Sequence, residues 1–173
     1  PDVGKLPLLL QGYSAGGVYS YNFSHFKPER VISFVNIRGG GIGKTTSTNN
    51  HITGLMLLGE NDEPTRNQRM TNVVLSKRDE GGLFGLAIEP DMDHFGGLFT
   101  SWRLTRAFLS AALDRRLNED INTLMSVPEN SGCLGKNTTK EIYNFDDYPN
   151  NTENASWLIN ETFAEKWKAY QED

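Results

Sequence analysis

Ser14 sits in Gly12-Tyr13-Ser14-Ala15-Gly16, at the end of the apolar run LLLQ, and a serine so placed is a candidate nucleophile. A serine hydroxyl attacks poorly until a neighbouring base takes its proton. An imidazole does this when a carboxylate orients it and stabilises its charged form. The strand–Gly-x-Ser-x-Gly–helix setting turns the chain sharply and presents the serine at the tip. Gly12 and Gly16 allow that turn, and Gly17 allows helix and strand to pack closely. The N–H of Ala15, at the start of the helix, points where an oxyanion would form, and the helix dipole favours negative charge there. Tyr13, next to the serine, is an expected substrate contact. The pattern is short and arises by chance, so its meaning depends on a base and an acid elsewhere in the chain.

The base follows by elimination among three histidines. His25 lies late on the helix after Ser14, about 16 Å from the turn at the α-helical rise per residue. His51 precedes an apolar run, at what should be that strand's amino end. His94 follows an apolar run, in the loop DMDHFGG, and is the expected base. For the acid, the loop LLGENDEP offers Glu60, Asp62 and Glu63, while Asp93 is too close in sequence to His94 to reach its ring easily.

These residues need a scaffold that brings their loops together. LPLLLQG, RVISFVNI, ITGLMLLGE and LFGLAIEP read as buried strands. Between and after them, GGVYSYNFSHF, PTRNQRMTNVVLSKRDE and LFTSWRLTRAFLSAALDRRL read as helices, the last with Leu104, Phe108, Ala111 and Ala112 on one face. The alternation predicts an α/β fold, a parallel sheet of about four strands with helices on both faces. Ser14, Asp62 and His94 each follow a strand, so their loops should emerge at one edge. The α/β core is expected over residues 1–121. Residues 122–173 form a polar, loop-rich extension ending in the helix WLINETFAEKWKAY, whose Phe163, Trp167 and Tyr170 form a stripe that docks on the core.

Composition narrows the classes further. With 37% hydrophobic residues, the 173-residue chain can bury a core. A net charge of −5 argues against nucleic acid or an anionic membrane surface as main partner. The apolar runs are too short to span a bilayer. The scattered histidines and lone cysteine show no metal-ligand spacing, so neither metal nor cofactor is expected. The cysteine, Cys133, is expected as a buried free thiol or as the partner of a cysteine outside this chain.

The elbow QGYSAGG, the loop GENDEP, the loop DMDHFGG and the strand–helix alternation together resemble the α/β-hydrolase family over about residues 5–117. The order Ser, Asp, His is that of this fold. The elbow and the tail resemble secreted bacterial esterases related to polyhydroxybutyrate depolymerases and feruloyl esterases. The resemblance implies a nucleophile at Ser14, a base at His94, and an acid at Asp62 with Glu60 in reserve. It implies an ester as substrate, small or polymer-linked, and a secreted or periplasmic location. The family sheet has eight strands with the elbow after the fifth, whereas this chain reaches its elbow at Ser14. The expectation is therefore a carboxyl-terminal portion, with the elbow strand bare at a sheet edge and a second oxyanion donor outside the chain. Alternatives are a serine peptidase or acyltransferase with the same triad, or a catalytically inactive fragment or carbohydrate-surface binding module.

Other signals are set aside. RGGGIGKTT resembles a phosphate-binding loop but runs toward a strand where such a loop needs a helix. It is expected as a loop near the site, where Arg38 could touch an acidic or ester substrate. Asn-x-Ser/Thr triplets reflect abundant Asn, and Asn22 is expected on a helix face against the core.

Overall fold

Runs of large apolar and β-branched residues pair as strands because a sheet covered on both faces buries every side chain of the run. The computed structural model describes residues 3–42, 46–118 and 123–172. It contains β1 (Leu8–Tyr13), β2 (Val31–Ile37), β3 (Thr53–Gly59) and β4 (Phe84–Glu89), all parallel, in the order β1-β2-β3-β4. Three helices alternate with them: α1 (Ala15–Phe26) after β1, α2 (Pro64–Asp79) after β3 and α3 (Phe99–Arg116) after β4. This is an α/β fold with helices on both faces, as the alternation predicts.

Alternate residues of each strand feed opposite cores. Phe34, Met56, Leu58, Phe84 and Leu86 pack with Tyr21 of α1 and with Met70 and Val74 of α2. Val35, Ile37, Leu55, Leu57 and Ala87 face the other way, into a cluster with Leu104, Phe108 and Ala112 of α3. β2 and β3 are buried throughout. β1 is not: it is the end strand, Leu9 is 38% exposed, and an open groove lined by Leu9, Gln11, Trp102 and Leu113 runs along it. The expectation of a strand covered on both faces is corrected there. Asn22 also departs from expectation. It is exposed, because α1 turns Gly17, Ser20, Tyr21 and Ser24 inward.

The tail holds more regular structure than its composition suggests. β5 (Cys133–Lys136), β6 (Ile142–Asn144) and β7 (Ala155–Leu158) form an antiparallel sheet in the order β6-β5-β7, followed by α4 (Glu161–Ala169). Trp157 and Leu158, expected in the closing helix, belong to β7. The helix starts later because Asn160 caps it, its side chain accepting from the Phe163 N–H at 2.8 Å. Trp157, Phe163 and Trp167 are buried in the same cluster as Leu55, Leu57 and Ala87. The Trp167 indole N–H donates to the Leu86 carbonyl at 2.5 Å, and Ser156 Oγ accepts from the Leu86 N–H at 2.8 Å. Arg78 of α2 is buried, donating to the Ala155 carbonyl at 3.1 Å and pairing with Glu129 at 2.9 Å. The expected boundary at residues 121 and 122 lies outside the described residues, as do Gly43, Lys44 and Thr45 of the phosphate-loop lookalike. Cys133 is partly buried, and burial pushes its thiol pKa up. Among the described residues, no helix is long and apolar enough to cross a membrane.

Candidate active site

Because the four strands are parallel, their carboxyl ends share one edge. Ser14 directly follows β1, Asp62 lies just past β3, and His94 lies in the loop after β4. Ser14 has φ 53° and ψ −119°, a left-handed backbone that a serine adopts only under constraint from its surroundings. Its N–H is held by the Ile37 carbonyl at 2.8 Å, which extends the β1–β2 ladder into the turn. The turn is tight enough that a Cβ at Gly12 would stand 2.1 Å from the carbonyl carbon of Gly16. Gly17 is as constrained, by Asn36 Oδ1 at 2.3 Å from such an atom. Gly16 carries no such demand among the described residues.

Ser14 Oγ lies 3.1 Å from His94 Nε2, and His94 Nδ1 lies 3.0 Å from Asp62 Oδ2. Asp62 is 5% exposed. Its other oxygen, Oδ1, accepts from the Glu63 N–H at 2.7 Å and from Arg66 Nη1 at 2.5 Å. Glu60, the reserve acid, is exposed, and its carboxylate accepts from the Asp91 N–H at 3.0 Å, away from the imidazole. The acid and histidine loops are sewn together by the Asn61 N–H, which donates to the Met92 carbonyl at 2.9 Å.

Arg66 is a site residue that the sequence reading missed. It stands four residues after Asp62, on the first turn of α2, and Nη1 is also 2.6 Å from His94 Nδ1. One ring nitrogen cannot both donate to Asp62 and accept from Arg66. We place the proton on Nδ1, because the buried Asp62 carboxylate is the stronger acceptor and Arg66 already has a charged partner in Oδ1. Nε2 is then free to take the Ser14 proton.

Tyr13 packs its ring against that of His94, centroids 5.3 Å apart, and its hydroxyl donates to the His94 carbonyl at 2.6 Å. Arg38 is 0% exposed and turned away from solvent, so the expected contact with substrate is corrected: its charge is matched by Glu89 at 2.7 Å inside the protein. Ala15 is exposed at the first position of α1, where a backbone N–H has no partner within the helix. In front of it opens a cleft of about 340 Å³ lined by Ser14, Ala15, Val18, Gly40, Gly41 and Arg66.

The other two histidines stand elsewhere. His51 precedes β3, and burial lowers its pKa. His25 packs edge-on against Tyr21, and burial, with Lys77 adding to it, lowers its pKa from 6.5 to about 4. In the folded chain it therefore stays neutral down to about pH 4, whereas the unfolded chain takes up the proton near pH 6.5. Stability is full above that value and is lost as pH falls toward about 4. His25→Gln should flatten this acid limb in thermal melts taken across the same range. Parallel curves for the two proteins would refute the attribution.

Comparison of the sequence with models of protein families finds no matching family, and comparison with curated proteins finds no matching relative.

Proposed function

We propose that this chain is a serine hydrolase of the α/β-hydrolase type, acting on carboxylic esters through an acyl-enzyme. The observation that carries the reading is the relay Ser14–His94–Asp62, at 3.1 and 3.0 Å, with the serine on a constrained turn at the head of a helix. Motif resemblance alone favours an ester over a peptide bond.

In this reading Ser14 Oγ bonds to the acyl carbon while its proton passes to His94 Nε2. The carbonyl oxygen gathers negative charge and accepts from the Ala15 N–H. The C–O bond to the alcohol then breaks, and the leaving oxygen takes the proton from His94. Water repeats the sequence: it gives a proton to His94 and attacks the acyl carbon, and Ser14 leaves with that proton restored. Asp62 keeps the imidazole in the required tautomer and stabilises its charged form.

Labelling with a fluorophosphonate tests the reading directly, since attack by Ser14 Oγ on phosphorus with loss of fluoride leaves a permanent adduct. Peptide mapping should locate it on Ser14, and His94→Ala should abolish it. A folded chain that stays unlabelled overturns the proposal for this chain. A panel of ester, amide and peptide substrates then ranks the acyl-transfer chemistries.

A further inference from the structure

The loop after β4, residues 90–98, has no regular structure, yet it carries the base. Backbone carbonyls in such a loop need partners, and here several converge on one buried side chain. Arg38 Nη1 donates to the Gly96 carbonyl at 3.0 Å and to the His94 carbonyl at 3.4 Å. Its Nη2 donates to the Gly97 carbonyl at 3.4 Å and to Glu89 Oε2 at 2.7 Å. Arg38 adopts φ 52° directly after β2, a backbone form rare for arginine, and this turns its side chain under the loop.

Glu89 is the last residue of β4, and its oxygens are saturated by groups from beyond the loop. Ser101 Oγ and the Tyr170 hydroxyl donate to Oε2 at 3.0 and 2.9 Å, and Thr100 donates to Oε1. Thr100 and Ser101 lie in the first turn of α3, and Tyr170 directly follows α4. The loop is thus clasped at both ends through one carboxylate and filled from beneath by one guanidinium. Burial pushes the Tyr170 phenol pKa far up, so it remains a donor throughout the ordinary pH range.

We propose that Arg38, backed by Glu89 and Tyr170, is a positioning group for the loop that carries the His94 base, acting beside the Tyr13 hydroxyl on the His94 carbonyl, which makes the carboxyl-terminal segment part of the working site. The inference rests on the hydrolase reading for its effect on rate but not for its effect on the imidazole. His94 touches its triad partners only through its ring, so its depth in the site is set by where the loop backbone stands. A guanidinium reaches three carbonyls and a carboxylate at once because its five donors lie in one rigid fork. A lysine ammonium, a compact point charge, cannot reproduce that span. A displacement near 1 Å in such a group costs about 100-fold in rate.

Arg38→Lys and Tyr170→Phe test this on the whole chain, since both keep the Glu89 carboxylate and both positions are buried beneath the loop. Arg38→Lys should lower kcat for a chromogenic ester by about 30- to 100-fold with KM changed less than about 3-fold. Tyr170→Phe keeps the buried ring and should lower kcat by about 3- to 10-fold. Nitrogen-15 resonances of the His94 imidazole, told apart from those of His25 and His51 by single replacements, should shift in both variants. If Arg38→Lys does not fold, Tyr170→Phe carries the test. Lower melting temperatures with unchanged kcat and unchanged His94 resonances would show a purely structural role and overturn the proposal. If the unaltered chain neither labels nor turns over ester, the hydrolase reading falls, and the imidazole resonances alone then judge the positioning role.

Discussion

Ser14→Ala should lower ester turnover by about 10⁴- to 10⁶-fold, the loss seen when a nucleophile that works as one unit with its base is removed. The change deletes one oxygen, placed 3.1 Å from His94 Nε2. The elbow itself is held by the Ser14 N–H bond to Ile37 and by the close approach of Gly12 to Gly16, and neither depends on the hydroxyl. Folding stability should therefore move by no more than about 1 kcal/mol, the net worth of one hydrogen bond. Initial rates and a thermal melt on the same preparation separate the two effects. Turnover that survives in a folded Ser14→Ala protein would remove Ser14 as nucleophile.

Asp62→Asn should cost about 10⁴-fold in kcat, whereas Glu60→Gln should leave it within about 3-fold. The first estimate follows from the tautomer. An amide nitrogen facing His94 Nδ1 would ask that atom to accept, which moves the imidazole proton to Nε2 and leaves nothing to take the serine proton. The change also takes the Asp62 carboxylate from Arg66 Nη1, which lies 2.6 Å from the same ring nitrogen and is then free to donate to Nδ1, reinforcing the wrong tautomer; Nη2 keeps Glu63 at 3.8 Å. Glu60 is exposed and bonds the Asp91 N–H, so its amide counterpart changes a surface turn only. Steady-state kinetics of the two variants side by side decides the point. A greater loss at Glu60 would reassign the acid.

Much of the scaffold was legible in the sequence because it is written locally. Largely apolar runs bounded by polar turns mark β2, β3 and β4. The apolar face of α3 announces its packing, since Leu104, Phe108 and Ala112 recur at helical spacing and are all buried. The tail was less legible. β5 to β7 are three or four residues each, too short for a period to show, and they exist because they pair with one another. Trp157 reads as helical in sequence because the apolar periodicity downstream of Asn160 continues back past that cap into β7.

For the site, the sequence by itself determined which residues stand at the carboxyl ends of the strands. A parallel sheet puts Ser14, Asp62 and His94 at one edge whatever the details of packing. Only the tertiary structure decided among candidates a few residues apart. Asp62 and Glu60 share a loop, and what separates them is that one is buried facing an imidazole from another loop while the other faces solvent. Arg38 reads in sequence as a loop cation free to meet substrate. It becomes an internal anchor because the loop after β4 closes over it and Glu89 balances its charge. Propensity and periodicity are properties of neighbours along the chain. Burial, charge pairing and the partner of a ring nitrogen are set by residues tens of positions away, so they exist only once the chain has folded.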